Sequence, residues 1–177
     1  MEREAIAALA AVLGPLGIVW VVIGAVAANR YRRDVRLTGD VDLLVADHGP
    51  GLAAFESALR AAGWSTRRGT PDGAILRLRH RSLGVADIVL AETDYQREAI
   101  ERARVEPGGG AANANVRVLR IEDVLIHKLI AGRPRDLADI EDILSGGLPL
   151  DDGFVERWAE YWDVLDLWRR LRSAPRP

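Results

Sequence analysis

The chain has 177 residues, 49% of them hydrophobic and 28% charged, with a formal net charge of -2 and no cysteine. That length suits one domain, or one core with a helical extension, and the composition suits a soluble globular protein. The charge balance argues against nucleic-acid binding by bulk electrostatics while leaving room for a local basic groove, and the lack of cysteine excludes disulfides, cysteine–zinc sites and thiol catalysis and fits a reducing cytoplasm.

Residues 2–13 predict a first helix with Ile6, Leu9, Ala10 and Leu13 on one stripe. From Ala5 to Asn29 the chain carries no charge, a stretch long enough to suggest a membrane span or signal peptide. The Met-Glu-Arg-Glu start lacks a positive leader, and Gly14-Pro15-Leu16-Gly17 would break a spanning helix, so no membrane role is expected. Ile18 to Ile23 is a near-continuous β-branched run that predicts a buried central strand. Gly24 and Ala25 follow as a tight turn into a short helix reaching about Arg32, with small residues Ala27 and Ala28 allowing close approach to the sheet or a ligand.

A loop then leads into a second strand that opens Asp40-Val41-Asp42. With a side-chain period of two, both carboxylates project from one face. Like charges that close repel unless a cation joins them, and magnesium suits such oxygen donors; two ions about 4 Å apart can hold the attacking and leaving oxygens of an in-line displacement. The alternative is structural: one Asp caps the strand entry and the other bridges to a nearby Arg.

Gly49-Pro50-Gly51 ends that strand, and Leu52 to Ala62 reads as an amphipathic helix closed by Gly63. Trp64 to Arg68 predicts a short strand, Pro71-Asp72-Gly73 a turn, and Ala74 to His80 a strand with Leu76 and Leu78 on one face and Arg77 and Arg79 on the other. The two arginines read as the wet face of a half-buried strand, with phosphate or RNA contact as the alternative. Val85 to Leu90 is apolar but for Asp87, a charge that desolvation penalises unless it is metal-bound or, as the structural alternative, paired with Arg77 or Arg79. Asp94 to Arg104 reads as a charged helix, Pro107 to Asn113 as a loop in the position expected of a lid, and Val116 to Leu119 as a last strand.

From Ile121 the pattern turns helical. Leu125, Leu129 and Ile130 form one stripe, Pro134 opens the next helix, and Leu137, Ile140, Ile143 and Leu144 line its inner face. Lys128 sits on the largely apolar first helix, so its ammonium must snorkel to water or meet an anion. Phe154 to Leu171 predicts one terminal helix whose Trp158, Trp162, Leu165 and Trp168 read as a packing face, and the tail SAPRP needs no fold. His48, His80 and His127 share no spacing that suggests zinc.

Ile23, Gly24, Ala25 and Ala27, followed by Arg36, Thr38, Asp40, Asp42, Leu43, Leu44 and Val45, resemble the signature of the DNA polymerase β nucleotidyltransferase superfamily, and most closely its small bacterial AbiEii-type branch. The departure is Ala25, where the superfamily more often has Ser; phosphate contact there would fall to backbone N–H groups at the helix start. Lys128, Arg133, Asp136 and Asp139 are similar to that branch's Lys-x-x-Ala-x-Arg-x-x-Asp-x-x-Asp element.

The resemblance implies an α/β fold, a nucleotidyltransferase-like mixed sheet flanked by helices, with residues 1–120 as the core and 121–173 as a C-terminal helical part packed on it. It implies catalytic and metal-binding roles for Asp40, Asp42 and Asp87, the last helping to activate the acceptor hydroxyl. It implies nucleotide binding by Gly24, Ala25, Thr38, Lys128, Arg133 and Asp139, with Lys128 on phosphate and Asp139 its partner. The expected activity is transfer of a nucleoside monophosphate from a nucleoside triphosphate, with two magnesium ions, to a hydroxyl of RNA (a tRNA, for example) or protein. A cytoplasmic toxin with a cognate antitoxin fits this reading; a catalytically inert binding module of the same fold is the alternative.

Overall fold

The computed structural model describes residues 2–107 and 115–175. From Gly108 onward, the loop expected at Pro107 to Asn113 lies outside the described residues, as do the last two residues of the tail. The chain divides into two compact units, one of Met1–Val26 with Thr38–Leu119 and one of Ala27–Leu37 with Arg120–Pro177. The helical unit thus includes a segment from the N-terminal third of the chain.

In the first unit, α1 (Glu2–Leu13) opens with Glu2 and Glu4, which suit the positive end of its dipole, and buries Ala5, Ile6, Leu9 and Leu13. The Gly14 to Gly17 turn leads to β1 (Trp20–Ile23), and α2 (Gly24–Ala28) follows at once. The uncharged stretch is therefore helix, turn, strand and helix, and no helix among the described residues is long and apolar enough to cross a membrane. Next come β2 (Asp40–Val45), α3 (Leu52–Ala61), β3 (Ser65–Arg68), β4 (Ile75–His80) and β5 (Gly84–Leu90). The unit closes with α4 (Asp94–Arg102), β6 (Arg104–Glu106) and β7 (Val116–Val118).

These strands form one mixed seven-stranded sheet in the order β3-β4-β5-β2-β1-β7-β6. β2 lies at its centre, antiparallel to β1 and parallel to β5. Val41, Leu43, Leu44 and Val45 of β2 are buried, and only its first residue, Asp40, is exposed. On β4 the expected alternation holds, with Leu76 and Leu78 fully buried. β6 is a strand where the helix was expected to run on. The capping box of Thr93 and Gln96 starts α4, but the helix ends at Arg102, and Arg104 to Glu106 pair with β7 instead.

The second unit holds α5 (Ile121–Ala131), α6 (Pro134–Ser145), α7 (Asp152–Tyr161) and α8 (Leu165–Ser173). Gly132, with φ of 59°, caps α5 in the left-handed conformation, and Pro134 opens α6. Ile130 is 43% exposed, against the expected inner stripe; it lies in the last turn of α5, whose earlier turns are buried through Val124, Leu125, Ile126 and Leu129. The expected single terminal helix is two. Asp163 adopts φ of 56°, Val164 N–H reaches back to Ala159 O at 2.8 Å, and the Arg172 guanidinium forks the Asp152 carboxylate at 2.7 and 2.8 Å. Val155, Ala159 and Trp168 are the buried residues of this pair, while Trp158 and Trp162 are half-buried.

Candidate active site

Asp40 and Asp42 project from the same face of β2, as the period of two requires. Asp42 is in register with Ile23 of β1 on one side and with Asp87 of β5 on the other. Because β2 and β5 are parallel, Asp42 and Asp87 stand side by side on that face, with backbones about 4.8 Å apart. Asp40 is aligned with Val85, two residues before Asp87. The Thr38 hydroxyl donates to Asp40 Oδ1 at 2.8 Å and approaches Asp40 O at 3.2 Å, fixing the entry to the strand.

Gly24 shapes the opposite flank of Asp42. Its φ is +64°, and a Cβ built there would lie 2.0 Å from Asp42 Oδ2. The bare Cα is thus what allows the Asp42 carboxylate its position. Ala25 follows in α2, a helix of only five residues.

Arg77 completes this face. It is the cross-strand partner of Asp87 in the antiparallel β4–β5 pair. Its Nε donates to Asp87 Oδ1 at 2.9 Å and its Nη2 to Asp87 Oδ2 at 2.8 Å, a two-point fork. The hydrogen bond and the charge of Asp87 raise the Arg77 pKa, and the charges of Asp40 and Asp42 add to the effect. All three carboxylates therefore act on one guanidinium. Among the described residues, no three His, Asp or Glu side chains are gathered closely enough to hold a metal ion. Arg77 lies on the exposed side of β4, as expected, and from there it pairs with Asp87.

The second motif assembles inside the helical unit. Asp139 of α6 is 2% exposed and accepts from Lys128 Nζ of α5 at 2.5 Å, from Arg32 Nη1 at 2.5 Å and from Arg36 Nη2 at 3.3 Å. Asp136 accepts from Arg133 Nε at 2.5 Å and from Lys128 Nζ at 3.3 Å. Arg32 Nε also reaches Asp142 at 3.1 Å. Burial pushes the Asp136 carboxyl up, but the Arg133 hydrogen bond and the Lys128 charge outweigh it and leave the pKa lowered. Asn29 closes the segment that delivers the arginines, donating to Arg36 O at 2.7 Å and accepting from Arg36 N–H at 3.2 Å.

Lys128 and Asp139 are therefore partners, as the motif implied, and Arg133 belongs to the same cluster. Lys128 is only 5% exposed, and its ammonium is shared by two carboxylates. Arg32 and Asp142 carried no signal in sequence, since more than 100 residues separate them.

The family model described as nucleotidyl transferase AbiEii toxin, type IV TA system, matches residues 7–170. The chain belongs to this family. It is accordingly a nucleotidyltransferase in class. Curated proteins gave no match. Among solved structures, the AbiEii-family chain resembles an antigenic nucleotidyltransferase-like protein from Paracoccidioides brasiliensis, with TM-score 0.57 and 18% identity over 99% of this chain and 94% of the other. It also resembles the lincosamide antibiotic adenylyltransferase LnuA in its lincomycin-bound form, with TM-score 0.53 and 13% identity over 80% and 96% of the two chains. The complex of ANT(2'')-Ia with adenylyl-2''-tobramycin gives TM-score 0.53 and 19% identity over 97% and 98%. At these identities the likeness is one of fold, and the α/β nucleotidyltransferase fold is what it shows.

Proposed function

We propose that this AbiEii-family protein transfers a nucleoside monophosphate from a nucleoside triphosphate to a hydroxyl of RNA or protein, acting in the cytoplasm as a toxin restrained by a cognate antitoxin. The observation that carries the reading is the face on which Asp40 and Asp42 stand with Asp87 in register beside them. Asp42 lies against a glycine that leaves room for its carboxylate alone. The donor chemistry fits magnesium, which prefers carboxylate oxygens supplemented by substrate phosphates. Asp40 and Asp42 would hold two such ions and Asp87 one of them. A magnesium ion bound there would supply Lewis-acid stabilisation of the phosphoryl group in transfer. Asp87 takes up the acceptor proton, and Thr38 holds Asp40 in place. Gly24 and Ala25 would bind nucleotide through backbone N–H groups, and Lys128 would contact phosphate through its ammonium, with Asp139 as its partner and Arg133 beside it.

The test is incubation of the pure protein with each labelled nucleoside triphosphate, magnesium and cell extract. Transfer of label to a macromolecule identifies donor and acceptor together. Asp42→Asn should reduce transfer at least a hundredfold with an unchanged far-ultraviolet circular dichroism spectrum, and transfer surviving that substitution would remove the metal reading. The Arg77 fork on Asp87 favours a second reading, an inert binding module, which predicts nucleotide binding without label transfer in the same experiment.

A further inference from the structure

We infer that Arg77 is a positioning residue that competes with a metal ion for Asp87, so that the Arg77–Asp87 fork weakens metal ligation by Asp87. The inference rests on the proposed metal role of the aspartate face and adds a control element to it.

The geometry is specific. Each Asp87 oxygen accepts one guanidinium N–H, at 2.9 and 2.8 Å, so both of the in-plane positions facing β4 are taken. Asp42 stands on the other side of Asp87, in register on β2. Each Asp87 oxygen keeps a second lone pair, so a cation shared with Asp42 would meet the carboxylate while the guanidinium still holds it. A dication held by Asp87 while the fork persisted would sit against a guanidinium that is always charged, and like charges at that range repel. No proton moves in this competition: the carboxylate stays ionised and the guanidinium stays protonated. Arg77 is half-exposed while the Asp87 side chain is 17% exposed, so a guanidinium displaced by that repulsion has water to receive it.

Arg79 provides the internal control. It lies two residues along β4 on the same face, in register with Val85, and carries the same charge. Substituting it changes the field over the aspartates without touching the fork.

The experiment is a manganese titration of the full chain without nucleotide, read by electron paramagnetic resonance of free manganese, which reports affinity and stoichiometry independently of catalysis. Arg77→Gln should tighten binding about tenfold or more, in keeping with loss of a charge-assisted competitor, while Arg79→Gln shifts it far less. Equal tightening in both variants would mean bulk electrostatics and overturn the inference. Unchanged affinity in Arg77→Gln, with clear binding by the native chain, would make the fork a structural pair and leave the metal reading standing. Absence of binding in every form would overturn the inference and the metal reading together. If Arg77→Gln does not fold, Arg77→Lys keeps the charge but cannot fork, and the same titration then expects a smaller tightening; no tightening in that variant overturns the inference.

Discussion

At the residue scale, Gly24 and His127 each make a quantitative claim. Gly24 combines a left-handed backbone with a carboxylate where its side chain would be. Gly24→Ala should cost about 1–2 kcal/mol from the backbone alone, seen as a lowered denaturation midpoint, and should depress transfer by more than that loss, because the methyl displaces Asp42. His127 on α5 keeps some solvent contact, but its Nε2 is buried. Desolvation pushes its pKa from 6.5 down to about 4, with the Asp123 charge pulling partly back. The unfolded chain therefore binds a proton between those values that the folded chain refuses, so this contribution is complete above about pH 6.5 and is lost as the pH falls toward 4. The loss should be on the order of 3 kcal/mol. Chemical denaturation at a series of pH values measures it, and His127→Gln should flatten that limb of the profile.

Elements explain where sequence reading was reliable. α1, β4 and α6 each bury one face, so their periodicity is visible in the chain. α5 is different. Buried on most sides, it has no single apolar stripe, and its polar residues Glu122, Asp123 and Lys128 are buried with the rest. What orients it against α6 is the charge cluster around Asp136 and Asp139. Lys128→Ala should leave two buried carboxylates short of a cation and destabilise the fold by roughly 3–5 kcal/mol. It should also weaken nucleotide binding about tenfold if the lysine serves phosphate. Calorimetry with a magnesium–nucleotide complex, run at a temperature where the variant remains folded, separates the two effects: a fold penalty with unchanged affinity would make Lys128 structural alone.

For the whole molecule, the consequence of the chain's path is that residues 27–37 belong with the C-terminal helices rather than with the strands on either side of them. Arg32 and Arg36 are delivered to Asp139 and Asp142 by that path. The helical unit's main segment begins at Arg120, and residues 27–37 join it from the N-terminal third of the chain. The Arg and Thr of the Arg-x-Thr-x-Asp-x-Asp motif fall in different units: Arg36 in the helical one, Thr38 in the sheet unit with the aspartates.

The sequence by itself determined the family, the order of most elements and the face shared by Asp40 and Asp42, because a motif and a period of two are local properties. It also marked Asp87 as a charge in need of a partner, since burying a lone carboxylate is penalised wherever it sits. Which partner it took was decided in three dimensions. The β4–β5 register sets Arg77 across from Asp87, and a one-residue slip would turn its side chain to the other face. β6 likewise became a strand through pairing with β7, and the terminal helix broke where Asp163 and the Arg172–Asp152 fork fold α8 back toward the start of α7. In each case the deciding interaction joins residues too far apart in the chain for local periodicity to record, and only closure of the tertiary structure supplies it.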